Sequence, residues 1–253
     1  MATDGSEGSA VESALDRARE LREDPARLAE LRREARLTAA IGIVFAVLFT
    51  AGLLLIFFSS GANPFGAGNS VDDIGGTSRP VLIGGLYLLP FAAVTFLWFL
   101  ASLRSWIRFR ADRLSGVFST VQLLSGAAFI TLTLAGAGAV AVIPLARDLT
   151  GIEFDPATAR HFAVLARVLV MIFGMRMAAM VVMTTATIGA QASLFPGWFR
   201  VLSIAVAAAL FLAASFSFWL VALFPAWVLV LCALIVTGSR KLLEPAPREE
   251  DHL

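Results

Sequence analysis

Acidic residues are missing from every apolar run of this chain that is long enough to cross a bilayer. General acid–base chemistry by paired carboxylates is therefore excluded at that depth. Cysteine is almost absent too. Cys232 is the only one, so an intramolecular disulfide and a zinc site built on cysteine pairs are both excluded. It lies in the last apolar run and reads as a small packing residue. Histidine occurs twice, and neither copy lies in a membrane run. Ser-His-Asp and Cys-His arrangements thus have no candidates at membrane depth, and Walker-type phosphate loops are missing. These absences point to a non-enzyme, with no catalytic residues, no cofactor and no metal ligands. The acidic loop residues Asp148, Glu153 and Asp155 with His161 match no ligand motif and read as solvated loop, as do Asp72 and Asp73.

Lysine is nearly absent as well: Lys241 stands alone against nineteen arginines. That bias points to a GC-rich bacterial genome, hence to a bacterial plasma membrane. The formal net charge of +1 implies no nucleic-acid partner. The first ten residues, MATDGSEGSA, lack the apolar core of a cleavable signal. Targeting is expected from the first membrane helix.

Apolar sequence is what the chain has in quantity. It is 58% hydrophobic with a mean hydropathy of +0.81, against about 45–50% apolar in soluble domains. The fold class is all-α, a polytopic membrane protein. A spanning helix takes about 20 apolar residues, and six runs qualify: 38–58, 81–103, 116–143, 162–190, 200–220 and 224–236. The last two form one apolar block, too long for one crossing, so a tight turn is expected near 221–224. Pro225 then sits at a helix start, and Trp219 and Trp227 sit near the outer interface.

Four regions follow. Residues 1–10 form a disordered N-terminus and 11–37 a charged, helical, cytoplasmic extension. Residues 38–240 form the six-helix transmembrane domain, and 241–253 a cytoplasmic tail. Asp24-Pro25 is a helix start, from which one helix is expected to run unbroken into the membrane. Its charges, at i,i+4 spacing, read as a solvated face.

Basic residues near the membrane ends orient the chain. Arg22, Arg27, Arg32, Arg33, Arg36, Arg104, Arg108, Arg110, Arg113, Arg200, Arg240, Lys241 and Arg248 fall on one side. Only Arg79, Arg147 and Arg160 fall on the other. Both termini are expected to be cytoplasmic. The outer loops are then 59–80, rich in Gly, Ser, Asn and Pro, and 144–161, with Asp155-Pro156 as the start of the fourth helix.

One charge breaks the pattern. Arg176 lies in the middle of the fourth run. Its guanidinium keeps its proton, so at membrane depth it needs neutral acceptors, water or an anion. Thr95, Thr131 and Thr133 lie at similar depth on other runs and join Arg176 as the candidate ligand-binding residues. Two readings stand: an anion site, or interhelical glue made of an arginine and threonines. The methionines at 171, 175, 177, 180 and 183 circle the whole helix and read as packing. Thr131, Ala135 and Ala139, with Gly136 and Gly138, read as a small-residue helix contact. Ser203, Ala207, Ala209, Ala213 and Ser217 read the same way.

The segments LLPFAAVTFLWFLASLR (88–104), MRMAAMVVMTTATI (175–188) and FPAWVLV (224–230) resemble a family of bacterial six-helix membrane proteins to which no activity is attached. The resemblance covers about residues 38–240 and implies the architecture alone. The expected function is thus non-enzymatic binding or scaffolding, with the lipid bilayer as environment and a protein partner on the N-terminal helix. The alternative is a small transporter or channel-like protein with an anion site at Arg176.

Overall fold

The computed structural model describes residues 25–59, 83–108, 116–151, 154–192, 194–213 and 218–241. The expected N-terminal segment 1–24, nearly all of the first outer loop with Asp72 and Asp73, the turn bearing Arg110 and Arg113, Glu153, and the tail after Lys241 lie outside the described residues. Those residues form helices and short connections, with no strand among them.

Helix α1, Pro25–Ser59, begins at the proline that marks its start in the sequence and continues into the apolar run without a break. A π-helical turn, Ile83–Leu88, leads into α2, Leu89–Arg108. Helix α3 covers Gly116–Thr150. Helix α4, Pro156–Arg167, continues through a π segment, Val168–Gly174, into α5, Met175–Gln191. Helix α6, Gly197–Ala208, ends in a π turn, Ala209–Ala213. A 3-10 turn, Phe218–Ala222, opens α7, Leu223–Lys241.

Among the described residues, five helices are long and apolar enough to cross a membrane: Arg32–Ile56, Ile83–Ile107, Gly116–Thr150, Ala157–Gln191 and Leu220–Gly238. The sixth apolar segment is a shorter helix, Gly197–Leu212. The described residues are therefore all-helical, with apolar helices compatible with a multi-pass membrane protein.

The connection between the third and fourth apolar runs is much shorter than the expected 144–161. Helix α3 runs on through Pro144, which is buried inside it. It stops only at Gly151, whose φ of 67° suits a residue without Cβ. The Gly151 N–H closes on the Arg147 carbonyl at 3.0 Å, an αL cap. Helix α4 then starts at Pro156, with Asp155 as N-cap accepting from the Ala157 and Thr158 N–H groups. Pro at the first helical position and Asp before it are the local signals that mark this start.

Helix α1 packs against α2 and α7, α2 against α3, α3 against α5 and the segments before it, and α5 against α6. Rings from four helices meet in the middle. Phe45 and Phe96 lie 4.6 Å apart between centroids, Phe129 and Phe224 4.9 Å, and Phe96 and Phe129 5.5 Å. All four are buried. Close approach comes from glycine: a Cβ on Gly84 would stand 2.8 Å from the Gly52 carbonyl oxygen.

The expected small-residue contact of α3 is corrected in part. Thr131 and Ala135 are exposed, while Gly136 and Ala139 are buried. The contact runs through Gly126, Thr133 and Gly136, where a Cβ on Gly136 would meet Val170 at 2.5 Å. Trp227 packs inside the bundle. It is 2% exposed, donates its indole N–H to Ser203 Oγ at 2.9 Å, and stacks on Phe199 and Phe224. An internal serine thus supplies the acceptor for the buried indole N–H. Ser203 and Ala207 are buried, in keeping with the small-residue reading of that helix.

Candidate functional site

Arg176 lies in the first turn of α5, directly after the π segment. It is half-buried. Its Nη1 donates to the Ile172 carbonyl, one turn back on the same continuous helix, at 2.6 Å. The guanidinium lies over the Phe211 ring, 5.7 Å from the centroid. The charge is thus met by a neutral acceptor from its own helix and a π face from the next one. A contact of this kind contributes roughly 0.5–2 kcal/mol, more when desolvated.

The threonines proposed with it each turn back on their own helices. Thr95 donates to the Phe91 and Ala92 carbonyls at 3.0 and 2.9 Å. Thr131 is exposed and donates to Ala127 at 3.0 Å. Thr133 is buried and donates to Phe129 at 2.8 Å. Thr133 lies near the arginine's segment: a Cβ on Gly174 would be 4.0 Å from its Oγ1. A hydroxyl one turn from a free carbonyl lobe in its own helix bonds there first, and three of the four candidates illustrate that. The methionines divide by face: Met171 and Met175 are buried, while Met183 is 52% exposed.

Two polar features escaped the sequence reading. The first is a buried lock between α3 and α5. Gln122 Nε2 donates to Thr185 Oγ1 at 2.6 Å, and the Thr185 hydroxyl donates to the Val181 carbonyl at 2.7 Å. Both residues are 0% exposed. Gln122 Oε1 is buried without a hydrogen-bond partner among the described residues. The signal for it was compositional: Gln122 is one of two glutamines in the chain and the only one inside an apolar run.

The second is a seam between α5 and α6. A cavity of about 410 Å³ is lined by Met183, Ala186, Thr187, Gln191, Arg200 and Ile204, among others. A second, of about 240 Å³, shares Ala186, Ala190 and Arg200 with it and reaches Phe195, Gly197 and Phe199. Arg200 and Gln191 are exposed at one end. Arg176 and Phe211 meet across the same pair of segments, seven residues from Met183 and Ile204, or about 10 Å along the helices. The seam therefore has an arginine at each end and an apolar wall between. Gln191, the second of the two glutamines, sits at its open end.

Comparison with family models, curated proteins and solved structures gives no match.

Proposed function

We propose that this protein works by non-enzymatic binding or scaffolding in a bacterial plasma membrane, crossing it six times with both termini in the cytoplasm. The observation that carries the reading is the continuity of α1. The charged stretch 25–37 and the apolar stretch after it are one helix, Pro25–Ser59. The charged part therefore leaves the apolar zone as a stiff rod about 20 Å long. Ala35, Thr38 and Ala39 are 1–3% exposed, so the base of the rod is seated in the bundle. Arg32, Arg33 and Arg36 are exposed above and beside it. A rigid, mixed-charge projection offers a protein partner a surface that costs little ordering on binding.

A photo-cross-linker at position 33 of the full chain, activated in intact cells, should give a discrete adduct with another protein. Reversing Arg32 and Arg36 to Glu in the same chain should remove the adduct and leave membrane insertion unchanged. An adduct that survives the reversal would sink the reading. The orientation has its own test: a cysteine at 108 or 245 that reacts with an impermeant reagent from outside the cell would overturn it.

The alternative is a small transporter or channel-like protein that holds an anion on Arg176. It is favoured by the half-buried position of that guanidinium, with one carbonyl as its acceptor among the described residues. The hydroxyls of Thr95, Thr131 and Thr133 are spent on their own helices, so they support neither an anion shell nor interhelical glue at Arg176.

A further inference from the structure

The chain is strongly asymmetric in charge after Asp155. From there to Glu244 it has no acidic residue, while Arg160, Arg167, Arg176, Arg200, Arg240 and Lys241 are all present. Arg200 is the member of that set that lines both cavities of the α5–α6 seam. No carboxylate anywhere on α4, α5, α6 or the segments joining them can neutralise it.

The seam is graded along its length. Its open end carries Arg200 and Gln191, both exposed. The hydroxyl of Thr187 is spent on the Met183 carbonyl at 2.9 Å, so the donors at that end are the guanidinium and the Gln191 amide. Helix α6 starts there with Pro196 as N-cap and no side chain capping it. Its dipole adds positive potential in the same place. Further along, the walls are Met183, Ala186 and Ile204, and beyond them stands Phe211. Alanine at 186 and 190 is what leaves the space open. The larger cavity falls within the roughly 300–1,000 Å³ of small-molecule sites.

We propose that this seam binds one anionic phospholipid, with its phosphate on Arg200 and Gln191 and one acyl chain along Met183, Ala186 and Ile204 toward Phe211. A planar guanidinium fork matches two phosphate oxygens. The charge selects an anionic headgroup over a zwitterionic one. The apolar wall selects a ligand with a tail over a free phosphate. The site is separate from the projecting part of α1 and does not depend on it.

The test uses the full-length protein in a neutral detergent, with native mass spectrometry and thermal unfolding as readouts. Phosphatidylglycerol should bind at one molecule per chain and raise the midpoint. Phosphatidylcholine should bind about tenfold more weakly, and glycerol 3-phosphate should neither bind nor compete. Arg200→Gln should weaken phosphatidylglycerol binding by about tenfold and leave the lipid-free midpoint unchanged, since Arg200 is exposed. Ala190→Leu should fill the shared wall and weaken binding with the charge intact. Arg160→Gln, at an exposed arginine outside the seam, should bind as the wild type does. Equal binding of the two lipids would overturn the proposal. So would undiminished binding by both Arg200→Gln and Ala190→Leu. Full competition by glycerol 3-phosphate would replace the lipid with a free phosphate.

Discussion

Arg176 carries a permanent charge into the least hospitable part of the chain, and what surrounds it decides its worth. A buried ionic group exchanged for an apolar one of similar volume is often neutral or stabilising. Met is close in shape and would keep its contact with Phe211 while releasing the Ile172 carbonyl to its helix. Arg176→Met should therefore unfold within about 1 kcal/mol of the wild type in detergent, if the group is structural. An anion site gives a different pattern. Anions would stabilise the wild type, and both Arg176→Met and Arg176→Lys would lose that gain, because an ammonium lacks the planar fork. Thermal unfolding with and without a panel of anionic metabolites separates the two. At Gln122 and Thr185 the expected effects are unequal. Thr185→Val leaves the buried Nε2 of Gln122 without its acceptor and should cost about 1–3 kcal/mol. Gln122→Leu removes the amide with its unpartnered oxygen, and Thr185 keeps its bond to Val181, so the change should be near neutral or stabilising. The double variant should resemble Gln122→Leu alone. A double-mutant cycle by denaturation reads the difference, and additive losses would contradict this account.

Among the elements, the start of α4 is set by charge. The Asp155 carboxyl is held below its ordinary value of 3.8, first by the Thr158 hydroxyl and then by the Thr158 and Ala157 backbone N–H groups. The charged form is the one the fold favours. The cap is therefore complete above the ordinary carboxylate value and is lost as pH falls through the lowered one. Amide exchange at Ala157 and Thr158 should be slower in the wild type than in Asp155→Ala at neutral pH. The two should converge only in acid, below the value at which a free aspartate titrates. Convergence already at pH 5 would show that the cap does not depend on the charge. The same turn explains why the connection between α3 and α4 is short. Gly151 ends one helix and Asp155-Pro156 starts the next, leaving a handful of residues between them.

At the scale of the whole molecule, helices in lipid gain little from hydrophobicity when they meet, since the tails are as apolar as leucine. Shape must then hold the bundle. Phe96 touches Phe45, Phe129 and Phe224, which lie on three other helices. Truncating it removes contacts to α1, α3 and α7 at once. Phe96→Ala should cost roughly 3–5 kcal/mol, visible as a large drop in the unfolding midpoint in detergent. Trp98→Ala, two residues away but 66% exposed, should change it little. Similar losses at the two positions would mean that the rings do not tie the bundle together.

Much of this was legible without coordinates, wherever the cause is local. The unbroken helix from Pro25, the cap at Asp155 and the apolar runs follow from residue types a turn apart and from the length needed to cross a bilayer. The loop expected from residue 144 is helical as far as Thr150, because a membrane helix tolerates proline when neighbours cover the freed backbone, and Gly151 is the terminator. The site was legible only in its central residue. That Arg176 must find a partner follows from its chemistry. That the partner is Phe211, 35 residues on, and not Thr95 or Thr131, depends on which faces of α5 and α6 meet. The same holds for Trp227, whose indole bonds to Ser203 in the core, and for the seam at Arg200. In a chain that is apolar on nearly every face, composition assigns the helices but not their sides. Only the steric fit of glycines, rings and the few buried polar groups decides which side meets which.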